Sequence, residues 1–120
     1  MDDEARLRAT YDAFNARDIE AAIAALTPDV DWPNAWEGGR VRGPDAVRDY
    51  WLRQWAAIDP HVEPVSIRRR PDGRLAVEVE QVVRDLDGAS LLEGRVLHVY
   101  TLRDGLVARM DIEEAAGAAP

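Results

Sequence analysis

The spacing of apolar residues changes near His61, and this change constrains the fold more than any other feature of the sequence. Before His61, apolar side chains recur every three or four positions, which is typical of helices with one buried face. After His61 they alternate with polar side chains, which indicates strands. Helices followed by an antiparallel run of strands predict an α+β fold.

The predicted helices cover residues 3–16, a short segment from Ile19 to Leu26 capped by Asp18, and a segment from Pro44 to Ile58. The predicted strands cover residues 29–32, 40–42, 62–70, 74–85, 91–103 and 106–113. We expect one domain over residues 1–120, ordered over about 3–114, with a frayed tail at 115–120.

Turn signals at 71–73, 87–88 and 104–105 separate the last four predicted strands. Because one face pairs with the same face across a ladder, the turn at 87–88 predicts that Val77 lies opposite His98. It also predicts that the aliphatic inner face carries three polar side chains, Gln81, His98 and Tyr100. Polar groups on such a face favour a pocket over a filled core.

The turn at 104–105 leaves two registers open. With Gly105 in a left-handed bulge position, His98 lies opposite Met110, and Asp111 points outward. With a two-residue turn, His98 lies opposite Asp111 in the manner of a catalytic dyad, but Arg109 then lies on the core face. Apolar alternation favours the bulge.

Composition and charge exclude several functional classes. The 120 residues include 15 basic and 23 acidic side chains, and the net charge of −8 argues against nucleic-acid binding. The absence of cysteine excludes disulfides and thiolate chemistry. No apolar run approaches the roughly 18 residues of a membrane span, and the acidic N-terminus is unlike a signal peptide. We therefore expect a soluble cytoplasmic protein.

The order of the predicted elements, with the segments Thr27–Trp32, Gly43–Val47 and Thr101–Val107, resembles the nuclear-transport-factor-2-like superfamily. Within it, the chain most resembles the SnoaL-like branch and ketosteroid isomerase, over about residues 3–114. The resemblance implies three N-terminal helices packed in the concave face of a curved antiparallel sheet, a cone-shaped α+β barrel with one pocket. Isomerases, polyketide cyclases, epoxide hydrolases and non-enzymatic modules share this fold, which therefore does not specify the function.

The resemblance also implies roles for individual residues. His98 matches the position of the isomerase's protonated aspartic acid, and a neutral imidazole can likewise donate to an oxyanion. Tyr11 matches a helix-one tyrosine. Trp32 matches the general base but cannot abstract a proton, and its neighbour Asp31 faces the pocket only if the strand end twists. The candidate catalytic residues are His98, Tyr100 and Asp31.

The candidate ligand-binding residues are mainly aromatic or apolar side chains expected on the helix stripes, the inner sheet face and the pocket rim. They are Tyr11, Phe14, Trp32, Trp36, Trp51, Trp55, Gln81, Val96, Met110, Ile112 and Glu114. For the aromatic members, ordinary core packing is the alternative interpretation. No metal-ligand spacing and no phosphate-binding glycine loop occurs, so we expect neither a metal nor a cofactor.

Three functional hypotheses follow. The first is a cofactor-independent enzyme of the polyketide cyclase or isomerase type, which acts on a hydrophobic cyclic carbonyl compound through enolate stabilisation. The second is a non-catalytic module that binds a small hydrophobic molecule, and the third is a dimerisation module. A carboxylate close to His98 favours the first hypothesis, and an open pocket without one favours the second. The apolar character of Leu97 and Val99 predicts a homodimer through the outer sheet face.

Overall fold

The computed structural model describes residues 2–115. The helices are α1 (Asp3–Asn15), α2 (Ile19–Ile23) and α3 (Pro44–Ala57). The strands are β1 (Leu26–Pro33), β2 (Arg40–Arg42), β3 (Ile58–Arg69), β4 (Leu75–Asp85), β5 (Ser90–Arg103) and β6 (Leu106–Glu114). Ala115 is buried, and the rest of the tail predicted to fray lies outside the described residues.

The helices begin where the sequence supplies caps. The Asp2 carboxylate accepts a hydrogen bond from the Ala5 N–H at 2.8 Å and starts α1, and Asp18 starts α2 in the same way. Pro44 stands in the first turn of α3, where its missing N–H costs no hydrogen bond. The buried stripes of α1 and α3 include Tyr11 and Trp51, which face the sheet.

The six strands form one sheet in the order β2-β1-β6-β5-β4-β3. The predicted antiparallel barrel is wrong in two respects. Strand β1 pairs with β6 in parallel, and the sheet stays open, with β2 and β3 as its edges. A parallel pair needs a long connection, and residues 34–105 connect β1 to β6. Helix α3 connects the two edge strands and contacts both, so they do not pair with each other.

The register between β4 and β5 is confirmed, with Val77 opposite His98. The register between β5 and β6 differs from the predicted one. His98 lies opposite Ile112, two positions beyond Met110, and Met110 lies opposite Tyr100.

The cause of this difference lies at the turn between β5 and β6. Asp104 and Gly105 both have positive φ, at 54° and 80°, and form a two-residue turn. The bulge lies further along the ladder, where Ala108 has no partner on β5. From Arg109 onward the register error is two residues, so those side chains still face the predicted side of the sheet. Between the turn and the bulge the error is one residue, and Val107, opposite Leu102, faces the core in place of Leu106.

The core lies between the helices and the concave face of the sheet. Val77 and Val79 of β4 are completely buried there, together with Val30 of β1 and Val47 of α3. Full burial of an aliphatic side chain of this kind contributes roughly 1.5–3 kcal/mol. The hydrophobic packing therefore fixes the curvature of the sheet under α1 and α3, and it leaves a cavity at one end.

Candidate functional site

A partly open cavity of about 120 Å³ lies between α1, α3 and the concave face of the sheet. All but a few of its lining side chains are apolar or aromatic, and nine of them are among the candidate site residues: Tyr11, Phe14, Trp32, Trp51, Gln81, His98, Tyr100, Met110 and Ile112. The aromatic rings pack edge to face, with Trp51 at 5.3 Å from Trp32 and 5.4 Å from Phe14 between ring centroids. This packing forms a rigid apolar wall.

Three polar side chains of the wall form a hydrogen-bonded chain, which we call the His98–Tyr11–Tyr100 chain. The Tyr11 hydroxyl lies 2.8 Å from Nδ1 of His98 and 2.7 Å from the Tyr100 hydroxyl. The three residues are at most 8% exposed. Tyr11 comes from α1 and the other two from β5, so this contact depends on how the helix packs against the sheet.

The hydrogen bonds of this chain can run in either of two directions. If Tyr100 donates to Tyr11 and Tyr11 donates to Nδ1, then Nε2 of His98 carries the proton. If Nδ1 donates to Tyr11 and Tyr11 donates to Tyr100, then Nε2 is an acceptor and the Tyr100 O–H is free. Within the described residues the imidazole makes only the Nδ1 hydrogen bond. In both directions, the chain offers the cavity one free donor and one acceptor.

Burial keeps all three groups neutral at neutral pH. Removal from water lowers the pKa of His98 from 6.5 to about 4, because the imidazolium form loses its hydration. Removal from water is also the main reason that the pKa values of Tyr11 and Tyr100 are raised, since it disfavours the phenolate. The cavity therefore presents hydrogen-bonding groups that carry no charge.

The family model for the SnoaL-like domain matches residues 7–110. The chain belongs to this family. The resemblance noted in the sequence is thereby confirmed. No curated protein matches the SnoaL-like chain.

Solved structures share the fold of this SnoaL-like chain at low sequence identity. TerC, co-crystallised with polyporic acid, is 23% identical and has a TM-score of 0.80, covering 94% of this chain and 91% of TerC. A putative polyketide cyclase from Sinorhizobium meliloti is 22% identical with a TM-score of 0.76, covering 91% and 94%. RV0760c from Mycobacterium tuberculosis, in complex with estradiol-17beta-hemisuccinate, is 18% identical with a TM-score of 0.78, covering 95% and 94%. These similarities show the fold alone.

Five candidate residues do not line the cavity of the SnoaL-like chain. Trp36 lies in the loop after β1 and is 40% exposed. Trp55 packs behind the wall against Phe14, at 5.2 Å between ring centroids. Val96 and Glu114 lie opposite each other on β5 and β6, and neither of them lines the cavity.

Asp31, the fifth of these residues, lies on the opposite face of β1 from the cavity. Its carboxylate accepts hydrogen bonds from Arg40 and, at 2.9 Å, from Arg109, and Asp111 pairs with both arginines. We call these four residues the Asp31 cluster. The hydrogen bond from Arg40 is the main reason that the pKa of Asp31 is lowered. The structure therefore brings His98 and Tyr100 together and keeps Asp31 away from them.

The cavity also contains side chains that the candidate set did not include. They are Thr10, Pro33, Ala35, Tyr50, Gln54, Pro60, Val62 and Val83. Pro60 and Val62 lie opposite Val83 and Gln81, so a prediction that extended β3 back through Asp59-Pro60 would have found them. Tyr50 lies on the same buried stripe of α3 as Trp51.

The cavity side of the loop after β1 is held in place by side-chain contacts. The Asn34 amide donates to the Glu37 carboxylate at 2.9 Å, and Asn34 Oδ1 accepts from the Glu37 N–H at 2.7 Å. Arg53 of α3 donates to the same carboxylate at 2.8 Å. These bonds connect the rim of the cavity to α3.

No acidic or basic side chain lines the cavity within residues 2–115, apart from the imidazole of His98. A carboxylate general base is thus missing from the wall as described. The site can bind an apolar molecule and hydrogen-bond one of its oxygen atoms.

No helix of the described part is long and apolar enough to cross a membrane.

Proposed function

We propose that this SnoaL-like chain binds a small hydrophobic cyclic carbonyl compound and acts on it without a cofactor, as polyketide cyclases and isomerases do, by stabilising its enolate. The observation that carries this proposal is the His98–Tyr11–Tyr100 chain, a connected set of buried polar groups in a mostly apolar cavity. Such an arrangement orients a ligand by one oxygen and selects the rest of it by shape.

The size of the cavity supports a compact ligand. A dry cavity of about 150 Å³ holds one benzene molecule. The volume of about 120 Å³ in this chain therefore suits one ring, with the remainder of the molecule extending through the open side. Ile112 is 40% exposed and lines the cavity, so it offers an apolar surface at that opening.

The electrostatics of the cavity suit an oxygen on which negative charge develops. A neutral donor in a water-poor site costs little reorganisation when charge develops opposite it, and one such donor typically accelerates a reaction by about 10²–10³. The free donor of the His98–Tyr11–Tyr100 chain meets this requirement. TerC and RV0760c, both solved with organic ligands, and the putative polyketide cyclase support this choice of substrate class by analogy.

A second candidate function is binding without turnover. The absence of a carboxylate from the described cavity wall favours it, because proton removal from carbon commonly uses such a base. In this case Gln81, His98 and Tyr100 orient the ligand and do nothing further. The homodimer through the outer sheet face also stays a proposal, supported by the half-buried Leu97 on that face.

Paired ligands test the proposed function. We expect 2-tetralone, a bicyclic ketone, to bind wild-type protein and to quench the fluorescence of Trp32 and Trp51 in the cavity wall. Tyr100→Phe, which removes the free O–H of the chain, should weaken ketone binding about tenfold, since a buried hydrogen bond contributes roughly 1.4 kcal/mol. Tetralin, which has the same ring system without the oxygen, should bind both proteins equally.

The matched control is Thr27→Val, which removes a buried hydroxyl from a residue that does not line the cavity. It should leave the affinities for both compounds unchanged. Equal binding of ketone and hydrocarbon, with no effect of Tyr100→Phe on ketone binding, would show that no ligand oxygen is held by the polar chain and would refute the proposal.

A further inference from the structure

Because no carboxylate lines the described cavity wall, the atom of the polar chain that can act as a general base is Nε2 of His98. Within residues 2–115, Nε2 of His98 has no hydrogen-bond partner, and His98 lines the cavity. If His98 alone removed a proton from carbon, it would become a buried cation next to no counter-charge, which burial opposes strongly. An enolate oxygen that kept its full negative charge beside this cation would be a second unscreened charge. Stabilising the enolate in this cavity therefore requires a proton that reaches its oxygen as the negative charge develops, so that no charges stay separated.

We propose that His98, Tyr11 and Tyr100 form a proton relay that interconverts the keto and enol forms of the bound carbonyl compound while every side chain stays neutral. The inference rests on the proposed function and deepens it. The hydrogen-bond lengths of 2.8 and 2.7 Å connect the three groups without a gap, and the two ends of the chain face the same cavity.

In the keto-to-enol direction, the relay starts with Nδ1 of His98 protonated and Nε2 free. Nε2 takes a proton from the carbon next to the carbonyl, and the C–H electron pair becomes the new C=C bond. Nδ1 gives its proton to Tyr11, Tyr11 gives its own to Tyr100, and Tyr100 gives its own to the carbonyl oxygen, which receives the electrons of the C=O π bond. Four protons move, the atoms and electrons balance, and the product is the enol.

The step leaves the chain of hydrogen bonds reversed. Tyr100 then donates to Tyr11, Tyr11 donates to Nδ1, and Nε2 carries the proton. This second arrangement fits an enol, because its O–H can donate to Tyr100 while Nε2 can protonate its carbon. Both arrangements use the same heavy-atom positions, so neither direction needs a side chain to move.

Two of the three residues are catalytic in the strict sense, and one is not. His98 touches the carbon and Tyr100 touches the oxygen of the ligand. Tyr11 acts only through the other two. It is a positioning residue on α1, and its hydroxyl connects His98 to Tyr100. The relay depends on burial, since water at any of the three groups would compete for their protons; they are 8%, 3% and 4% exposed for His98, Tyr100 and Tyr11.

The test is the exchange of the protons next to the carbonyl of 2-tetralone in D2O at neutral pD, followed by NMR and compared with buffer alone. Tyr11→Phe interrupts the relay but keeps the ring in the wall. We expect it to lower the protein-dependent exchange rate at least 100-fold, while the dissociation constant of the ketone changes by less than about threefold. Thr27→Val is the matched control. It removes a buried hydroxyl that bonds to Asp29, outside the cavity, and exchange should persist.

A double-mutant cycle separates a relay from structural support. If Tyr11 and Tyr100 serve one relay, the Tyr11→Phe, Tyr100→Phe double variant is no slower than either single variant, whereas independent effects multiply. Exchange in Tyr11→Phe within threefold of wild type, or wild-type exchange no faster than buffer although the ketone binds, would overturn the relay and leave the proposed binding site intact. Equal affinity of wild type and Tyr100→Phe for the ketone would instead remove the proposed function itself.

Discussion

On strand β5, His98 and Tyr100 face the helices, and Val99 between them faces the other side of the sheet. The polar groups around the two faces differ in kind. The concave face holds the uncharged His98–Tyr11–Tyr100 chain, and the convex face holds the Asp31 cluster of two carboxylates and two guanidinium groups. Strand β5 therefore borders an uncharged polar network on its concave face and a network of paired charges on its convex face.

Access to water explains the difference. The arginines of the Asp31 cluster have side chains that are 32% and 45% exposed, so their charges keep part of their hydration. The concave groups are almost completely removed from water, where an unpaired charge would cost several kcal/mol. The comparison teaches that the concave face can work with polarity and proton transfer, but not with permanent charge.

The largest difference in stability is expected between two substitutions at adjacent residues of β4, one on each face of the sheet. Val79 is completely buried on the concave face, and Glu78 faces the convex side next to Arg95. Val79→Glu should lower the free energy of unfolding by about 4 kcal/mol or more, since it buries a carboxylate. Glu78→Val should change it by less than about 1 kcal/mol. Urea unfolding of both variants measures the contrast, and equal losses would contradict it.

The pH dependence of stability should sharpen the distinction. The unfolded chain protonates His98 near pH 6.5, but the folded protein resists protonation until about pH 4. The unfolded state therefore binds more protons in this window, and stability falls as pH decreases through it, by about 3 kcal/mol in total. Subtracting the unfolding free energies of His98→Gln from those of wild type, between pH 7 and 4, isolates this contribution.

His61→Gln removes the exposed histidine of β3 instead. Its unfolding free energy at pH 7 should stay within about 0.5 kcal/mol of the wild-type value. A His98→Gln protein with the full wild-type slope would show that His98 is accessible to protons in the folded state.

The smallest of the three effects concerns the convex network. Asp31→Asn should lower the unfolding free energy by about 2 kcal/mol, because hydrogen bonds from Arg40 and Arg109 lose their charged acceptor. Asp29→Asn, at a carboxylate that is 63% exposed, should lose less. Neither variant should alter 2-tetralone binding or exchange. Loss of exchange in Asp31→Asn at unchanged stability would restore Asp31 as a catalytic candidate.

Residue alternation predicted which side chains of β4 and β5 share the concave face, although it did not predict that Val107 faces the core next to the bulge on β6. The turn at 87–88 predicted the pairing of Val77 with His98, and the polar trio of Gln81, His98 and Tyr100 indeed lines one cavity. The placement of Asp31 on the opposite face from Trp32 also follows from the period of two in a strand. These features depend on neighbouring residues, and so the sequence contains them.

Features that depend on packing between distant elements could not be predicted in this way. Both Tyr11 and Tyr50 are buried tyrosines on helices, and either residue type could hydrogen-bond a histidine of the sheet. The structure shows that Tyr11 makes this bond to His98. The parallel pairing of β1 with β6 joins segments separated by most of the chain. Trp36 and Trp55 have the composition of a pocket wall, but they lie on the rim loop and behind the wall.

The unpaired Ala108 has a consequence for how the length of this chain can vary. Between the turn and Ala108, β5 and β6 pair in one register, and beyond Ala108 they pair in a register shifted by one residue. Ala108 is therefore one residue more than β6 needs for His98 to pair with Ile112. Deleting Ala108 would convert the bulged ladder to a regular one and keep that pairing. A change of one residue in strand length near the hairpin can therefore be accommodated at the bulge without changing the pairing at the cavity. In a sheet with no bulge, the same change would turn the cavity-facing side chains to the opposite face.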